Sequence, residues 1–207
     1  MEMASKMTGI ILAGGKNTRI GTEKAFLRIG DKVIIEEIST KLSRIFPKIM
    51  VVTNSPNPYC YQGLEVVRDI LPDKGALGGI YSGLVASETH YNFVLACDMP
   101  FISLGLIEYM RENAEGYDVV IPKLNNYFQP LHAIYSKDCI QPIKAQLHRN
   151  ELQVFGFFDR VEVKCISAEE VKAFDPSGIA FFNINTKDDM EEAERIAFSA
   201  ISQGRKQ

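Results

Sequence analysis

Residues 8–24 read Thr-Gly-Ile-Ile-Leu-Ala-Gly-Gly-Lys-Asn-Thr-Arg-Ile-Gly-Thr-Glu-Lys, and this stretch decides the fold class. Its first six residues are mostly apolar and run into Gly14-Gly15, which is typical of a buried strand followed by a tight turn. Glycines let backbone N–H groups approach phosphate oxygens, while Arg19 and Lys24 add charge-assisted hydrogen bonds. The stretch therefore predicts a strand that leads into a triphosphate-binding loop.

This loop matches neither of two common phosphate-binding motifs. It lacks the Gly-Lys-Ser or Gly-Lys-Thr ending of a Walker loop, and it is not Gly-x-Gly-x-x-Gly. The alternative is a tight turn followed by a solvated basic loop. Two glycines, Arg19, Gly21 and Lys24 directly after a strand favour the triphosphate loop.

Short apolar runs alternate with helical patterns along the rest of the chain, which predicts a mainly parallel sheet with helices on both faces. We expect residues 1–7 to form a loose N-terminal tail and residues 8–207 to form a single domain. The predicted strands cover 49–53, 64–67, 93–97, 118–121, 161–166 and 181–184. The predicted helices cover 33–46, 103–113, 140–147 and 187–200, with one more running to Val85 after a glycine-rich turn at 75–79. An antiparallel segment is predicted around 129–135.

Composition excludes several classes of protein. The net charge is −3, which argues against a broad nucleic-acid surface, and no apolar run is long enough for a membrane span. The four cysteines form no Cys-x-x-Cys pair, and the three histidines form no His-Glu-x-x-His pattern, so neither zinc nor disulfides are indicated. Reduced thiols in a cytoplasm fit best.

Five polar or glycine residues follow the ends of predicted strands. They are Gly14, Gly15, Asn54, Asp69 and Asp98. In open parallel sheets, ligands bind outside the carboxyl ends of the strands. The sequence therefore predicts a binding site built from these residues.

Asp98 is the strongest candidate for chemistry. It follows the apolar run Phe93–Cys97 and precedes Met99-Pro100, so its carboxylate stands at a strand end. Mg²⁺ uses few carboxylates and takes phosphate oxygens and waters as its other ligands, so one aspartate can suffice. The alternative is a helix cap, but Ser103 is better placed for that role.

Other candidates carry two interpretations each. Asp69 and Asn54 could contact a base or ribose, or belong to surface turns. Asn183 and Asn185 share one face of an extended segment and could line a pocket, or belong to the turn that Thr186 and Asp189 cap. Gly78 and Gly79 could serve a ligand or a close helix–sheet contact.

Four motifs in chain order resemble the molybdenum cofactor guanylyltransferases over about residues 8–195. They are Leu12-Ala-Gly-Gly-x-x-x-Arg19-x-Gly21-x-x-Lys24, Cys97-Asp-Met-Pro-Phe101, Gln129-Pro-Leu131 and Asn183-Ile-Asn-Thr186. The first motif is shared by many nucleotidyltransferases, whereas the asparagine pair together with Gln-Pro-Leu narrows the resemblance.

The resemblance implies a Rossmann-like three-layer α/β/α sandwich, with a mainly parallel, partly mixed sheet, that joins GMP from GTP to molybdopterin and releases pyrophosphate. Asp98 would bind Mg²⁺ and the nucleotide, with Arg19 and Lys24 stabilising the leaving group, and Asn183 and Asn185 would face the pterin. The residues implied to contact GTP are Leu12, Ala13, Gly14, Gly15, Lys24, Asn54, Asp69 and Asp98. Relatives with alanine in place of Gly14 tend to use CTP, which points here to guanine. Transient contacts with molybdoenzymes or other cofactor-biosynthesis proteins are also implied.

The chain departs from the family pattern at Ile20, Glu23, the 75–79 loop and Lys187, and none of these changes removes a charged or metal-binding group. Two alternatives stay open. One is another Mg²⁺-dependent nucleotidyltransferase that uses CTP or a sugar phosphate. The other is a non-catalytic nucleotide- or pterin-binding carrier, although a carrier would not need Asp98, Arg19 and Lys24 together.

Overall fold

Five consecutive buried residues, Thr8–Leu12, form strand β1 in the middle of the sheet. The computed structural model describes residues 6–14, 24–54 and 64–204. The other strands are β2 Arg28–Ile29, β3 Lys32–Val33, β4 Lys48–Val52, β5 Glu65–Val67, β6 Tyr91–Ala96, β7 Val119–Leu124, β8 Tyr127–Phe128, β9 His132–Ser136 and β10 Val163–Ile166. The helices are α1 Ile34–Leu42, α2 Gly75–Ala86, α3 Leu104–Glu112, α4 Ile140–His148, α5 Ala168–Phe174 and α6 Lys187–Gly204.

Eight of these strands form one mixed sheet in the order β10-β7-β9-β6-β1-β4-β5, with β8 paired to β7. Strands β6, β1, β4 and β5 are mutually parallel, and so are β7 and β10. Strand β9 runs antiparallel to both β6 and β7, which confirms the antiparallel segment predicted around 129–135. Strands β2 and β3 form a separate hairpin.

Side chains alternate between the two faces of the sheet, as the period of a strand requires. On β1, Ile11 belongs to the apolar core that includes residues of helices α1, α3, α5 and α6, whereas Ile10 and Leu12 belong to the core that includes residues of α2 and α4. Helices therefore cover both faces of the sheet. This arrangement confirms the predicted three-layer α/β/α fold.

Helix α2 lies unusually close to the sheet because glycines face it. A Cβ atom added to Gly83 would lie 2.8 Å from Cγ2 of Ile10, and one added to Gly79 would lie 3.3 Å from Cδ2 of Leu12. The sequence predicts a glycine-rich turn at residues 75–79, but these residues instead form the start of helix α2. The turn that precedes the helix ends at Gly75, whose φ is 60°. Of the two interpretations of Gly79, the close helix–sheet contact is the one that the geometry supports.

Three other predictions need correction. Residues 181–184 do not form a strand: Phe181 ends a short 3-10 helix, Ile179–Phe181, and the Ile184 N–H then bonds to the Asp98 carbonyl beyond the end of β6. Helix α5 was not predicted, although Ser167 and Glu170 form a capping box that the Ser-x-x-Glu spacing signals. Met7, assigned to the loose tail, is buried in the core.

The end of the chain agrees with its prediction. Helix α6 starts where Thr186 accepts a hydrogen bond from the Asp189 N–H group at 3.1 Å, and the Asp189 carboxylate accepts the Thr186 N–H at 2.8 Å. This reciprocal pair satisfies two N–H groups that the first turn of a helix leaves without partners. Among the described residues, no helix has the length and apolar character needed to cross a membrane.

Replacing Gly83 with alanine should destabilise the fold by about 1–3 kcal/mol, because the new methyl group would overlap Ile10 in a closely packed interface. Urea unfolding measures the change. Gly105→Ala in α3 is the matched control: its Cβ would lie 3.3 Å from the partly exposed Phe174 ring, which has room to shift. The control should be neutral or stabilising by up to about 1 kcal/mol. Equal losses in the two variants would contradict close packing of α2.

Candidate active site

The register of the parallel strands aligns the residues that follow them. Leu12 is paired with Val52 and Ala96, and Val52 is paired with Val67. Gly14, Asn54, Asp69 and Asp98 each come two residues after one of these aligned positions. The four residues therefore lie at the same edge of the sheet, which we call the C-terminal edge, in the order Asp98, Gly14, Asn54, Asp69.

Hydrogen bonds continue the alignment past the ends of the strands. The Cys97 N–H donates to the Leu12 carbonyl at 3.1 Å, the Ala13 N–H to Val52 at 2.9 Å, and the Thr53 N–H to Val67 at 3.0 Å. Leu12 and Ala13 are buried, whereas Gly14 is exposed. A Cβ atom on Gly14 would meet no described atom within 4 Å, so this position leaves open space for a ligand.

The Asp98 backbone is fixed from two sides. The Ile184 N–H donates to the Asp98 carbonyl at 3.0 Å, and Nζ of Lys41 donates to the carbonyl of Pro100 at 3.3 Å. Burial lowers the pKa of Lys41, and Glu37 opposes that shift. The neighbours of Asp98, Cys97 and Met99, are buried, while Asp98 itself is partly exposed. The residue thus lies at the C-terminal edge, where one of its carboxylate oxygens, Oδ1, is buried.

Asp69 lies in a hydrogen-bonded cluster at the other end of this edge. Its Oδ1 accepts hydrogen bonds from the Ser82 hydroxyl at 2.7 Å and from the Leu71 N–H at 3.3 Å. Its Oδ2 lies 3.4 Å from the Asn54 side-chain nitrogen. The structure therefore brings together Asn54 and Asp69, which the sequence placed at separate strand ends, and it adds Ser82, which the sequence analysis missed. A serine within an otherwise apolar helix was the available signal.

Asn183 and Asn185 reach the same edge from the opposite face of the sheet. They flank Ile184, whose N–H holds the Asp98 carbonyl and whose side chain is buried in the core that α1 and α3 share. The Asn183 side chain donates to the carbonyl of Phe181 at 3.1 Å. The asparagine pair is therefore beside Asp98, although it does not belong to a strand.

The predicted phosphate loop is only partly described. Gly15 and Arg19 lie outside the described residues. The backbone of Lys24 begins a short 3-10 helix, Lys24–Phe26, but the Lys24 side chain is not among the described parts of the structure. Their contacts with a triphosphate stay predictions. Among the described residues, no group of three or more His, Cys, Asp or Glu side chains could hold a metal ion.

The family model of the MobA-like NTP transferase domain matches residues 9–160. The chain belongs to this family. The probable molybdenum cofactor guanylyltransferase of Pelotomaculum thermopropionicum is 38% identical over 92% of this chain and 93% of its own length. The molybdenum cofactor guanylyltransferase of Desulfosudis oleivorans is 33% identical over 96% of this chain and 98% of its own length.

Solved structures share the fold of this chain. Molybdopterin-guanine dinucleotide biosynthesis protein A from Archaeoglobus fulgidus is 28% identical, and the two structures superpose with a TM-score of 0.82. The match covers 93% of this chain and 100% of that one. A nucleotidyl transferase from Methanothermobacter thermautotroptrophicus, 17% identical with a TM-score of 0.71, shares the fold.

His132 lies on β9, paired with Leu95 near the end of β6, but its environment excludes acid–base chemistry. The ring is fully buried against Phe93 and Phe181, at 5.2 and 4.9 Å between ring centroids. Neither ring nitrogen has a hydrogen-bond partner within residues 6–14, 24–54 and 64–204. Burial lowers the pKa of His132 to about 4, and the Asp175 carboxylate opposes this only in part. The ring is therefore neutral at neutral pH.

This buried histidine should make stability depend on pH. Between pH 6.5 and 4.5 the unfolded chain binds a proton at His132 that the folded chain does not, so the free energy of unfolding should fall by roughly 2 kcal/mol as the pH falls. His132→Phe should remove this slope in urea unfolding, whereas the exposed His148→Gln should keep it. If the free energy of unfolding varied with pH in the same way in the wild type and in His132→Phe, the lowered pKa of His132 would be contradicted.

Proposed function

We propose that this protein transfers GMP from GTP to molybdopterin, releases pyrophosphate and so forms the guanine dinucleotide cofactor. The observation that carries the proposal is the placement of Asp98 and the Asn54–Asp69 pair at one edge of the sheet. Relatives with that activity in their names, matched over nine-tenths of the chain, support the same reaction.

The spacing of the edge residues suits a nucleoside triphosphate. Asp98 and Asp69 follow strands that are three strand spacings apart, about 14 Å at the usual separation. In our proposal the triphosphate lies between Asp98 and the exposed Gly14, and the base lies at Asn54 and Asp69. A carboxylate accepts hydrogen bonds, which suits guanine because its ring N–H and amino group are adjacent donors.

Mg²⁺ suits the donor set at this edge. Asp98 supplies one carboxylate, and Mg²⁺ needs only one or two from a protein when phosphate oxygens and waters complete its coordination. This agrees with the absence of a cluster of three metal-binding side chains from the described residues. When bound, the ion would neutralise charge on the phosphate oxygens.

The rest of the catalysis comes from the positioning of the two substrates. The acceptor's terminal phosphate is ionised at neutral pH, so its oxygen can attack the α-phosphorus without a general base while the bond to pyrophosphate breaks. Arg19 and Lys24 would stabilise the departing pyrophosphate. Asn183 and Asn185, across Asp98 from the nucleotide side, would orient the pterin. The neutral, enclosed His132 agrees with a reaction that uses no histidine base.

The setting of the reaction follows from the same proposal. We place it in the cytoplasm, in agreement with the free thiols of Cys139 and Cys165. The product would pass to molybdoenzymes or other cofactor-biosynthesis proteins through transient contacts.

Pyrophosphate release tests the proposal. The enzyme is incubated with GTP, ATP, CTP or UTP, each with and without molybdopterin and Mg²⁺. Release should require GTP, molybdopterin and Mg²⁺ together. Preference for CTP, or release with a sugar phosphate as acceptor, would replace the proposal with another nucleotidyltransferase reaction, and binding of GTP without any release would indicate a carrier.

Asp98→Asn should lower the rate of pyrophosphate release by about 100-fold or more, because it removes the negative charge that would hold the metal ion and phosphates in place. The melting temperature should stay near that of the wild type, since the backbone contacts of Asp98 are unchanged. The exposed Asp159→Asn is the matched control and should keep full activity. Near-normal activity of Asp98→Asn would remove Asp98 from the reaction.

A further inference from the structure

We infer that Ser82 is a positioning residue, which holds one oxygen of Asp69 so that the other faces the nucleotide. The inference rests on the proposed function only in that Asp69 contacts the bound nucleotide. Ser82 lies in the middle of α2 and is fully buried, so its side chain is not accessible to a ligand. Its effect on the nucleotide is therefore indirect, and the side chain through which we expect it to act is Asp69.

The Ser82 hydroxyl has three polar neighbours. Its oxygen accepts a hydrogen bond from the Ile70 N–H at 2.8 Å. It lies 2.7 Å from Oδ1 of Asp69 and 2.8 Å from the carbonyl of Gly78. A hydroxyl has one proton, so it can donate to only one of these two acceptors at a time. Hydrogen bonds to a charged acceptor are the stronger kind, which favours Asp69.

Gly78 makes room for this contact. It lies one helical turn before Ser82, and a Cβ atom added to it would be 3.5 Å from Oδ1 of Asp69 and 2.7 Å from Cβ of Lys74. A larger residue would therefore press on Lys74 and on the carbonyl oxygen of Leu71, which is 3.1 Å away and only two residues after Asp69. Gly78 and Ser82 together form a notch on α2, the Gly78–Ser82 notch, that receives one carboxylate oxygen.

The two oxygens of Asp69 thus have different surroundings. Oδ1 is held by the Ser82 hydroxyl and, at 3.3 Å, by the Leu71 N–H. Oδ2 lies on the side of the exposed Asn54, with a long contact of 3.4 Å to its amide. Fixing Oδ1 fixes the plane of the carboxylate before a ligand arrives. Such preorganisation strengthens binding because less freedom is lost when the complex forms.

Removing the hydroxyl should weaken nucleotide binding without changing the chemical step. In Ser82→Ala, the Asp69 carboxylate loses its shortest hydrogen bond and can rotate. We expect the KM for GTP to rise about tenfold, with kcat within about twofold of wild type, because the contact acts equally on bound substrate and transition state. Steady-state pyrophosphate release gives both constants, and calorimetry gives the Kd of GTP directly.

Ser87→Ala is the matched control. Ser87 is also buried and directly follows α2, and its hydroxyl bonds to Thr89, at the opposite end of the helix from Asp69. Both variants lose one buried serine hydroxyl, so both should lose some stability, but only Ser82→Ala should raise the KM. Equal KM values in the two variants would overturn the inference.

Ser82→Cys offers a second variant, because a thiol of similar shape is a weaker donor. Its KM should lie between those of wild type and Ser82→Ala, and a wild-type KM would also overturn the inference.

A double-mutant cycle with Asp69→Asn tests whether Ser82 acts through Asp69. Residues that share one interaction give non-additive effects, whereas independent sites add. We expect Ser82→Ala to change the Kd of GTP much less in the Asp69→Asn background than in the wild type. Additive changes would overturn the inference. This outcome differs from failure of the proposed function, which would appear as wild-type enzyme that releases no pyrophosphate from GTP with molybdopterin.

Discussion

Parallel pairing of β6, β1, β4 and β5 is the constraint on which the rest of the structure depends. The hydrogen-bond ladder places Leu12, Val52, Val67 and Ala96 side by side, so the residues that follow them meet at one edge. Asp98, Gly14, Asn54 and Asp69 are far apart in sequence, and none of them contributes to the core that aligns them. Apolar burial of the strands thus places the polar groups of the site.

Helix α2 connects this sheet to the fine geometry of the site. Gly79 and Gly83 let the helix approach Leu12 and Ile10, since side chains there would collide with the strand. The same close packing brings Ser82 within hydrogen-bond distance of Asp69. A shift of the helix by one turn along its axis would separate these two residues. Helix–sheet packing and the orientation of the Asp69 carboxylate therefore depend on the same short distance, and small residues are needed for both.

The opposite side of Asp98 is organised by a different interaction. Residues 182–186 do not join the sheet, and a hydrogen bond from the Ile184 N–H links them to the Asp98 carbonyl beyond the end of β6. The buried Ile184 side chain and the cap of α6 hold this segment at both ends. The asparagine pair is thereby fixed beside Asp98, and the two halves of the proposed site meet at that one residue.

The sequence by itself determined the layers, most elements and the chemical character of the site, because the apolar runs and the glycine and carboxylate residues after them are local features. It also contained the cap of α5 at Ser167, which went unrecognised. Only the tertiary structure decided that residues 181–184 are not a strand, since that depends on whether a neighbouring strand is available to pair. It alone joined Ser82 to Asp69, because the contact spans a helix and a strand end whose distance is set by packing and not by any local pattern.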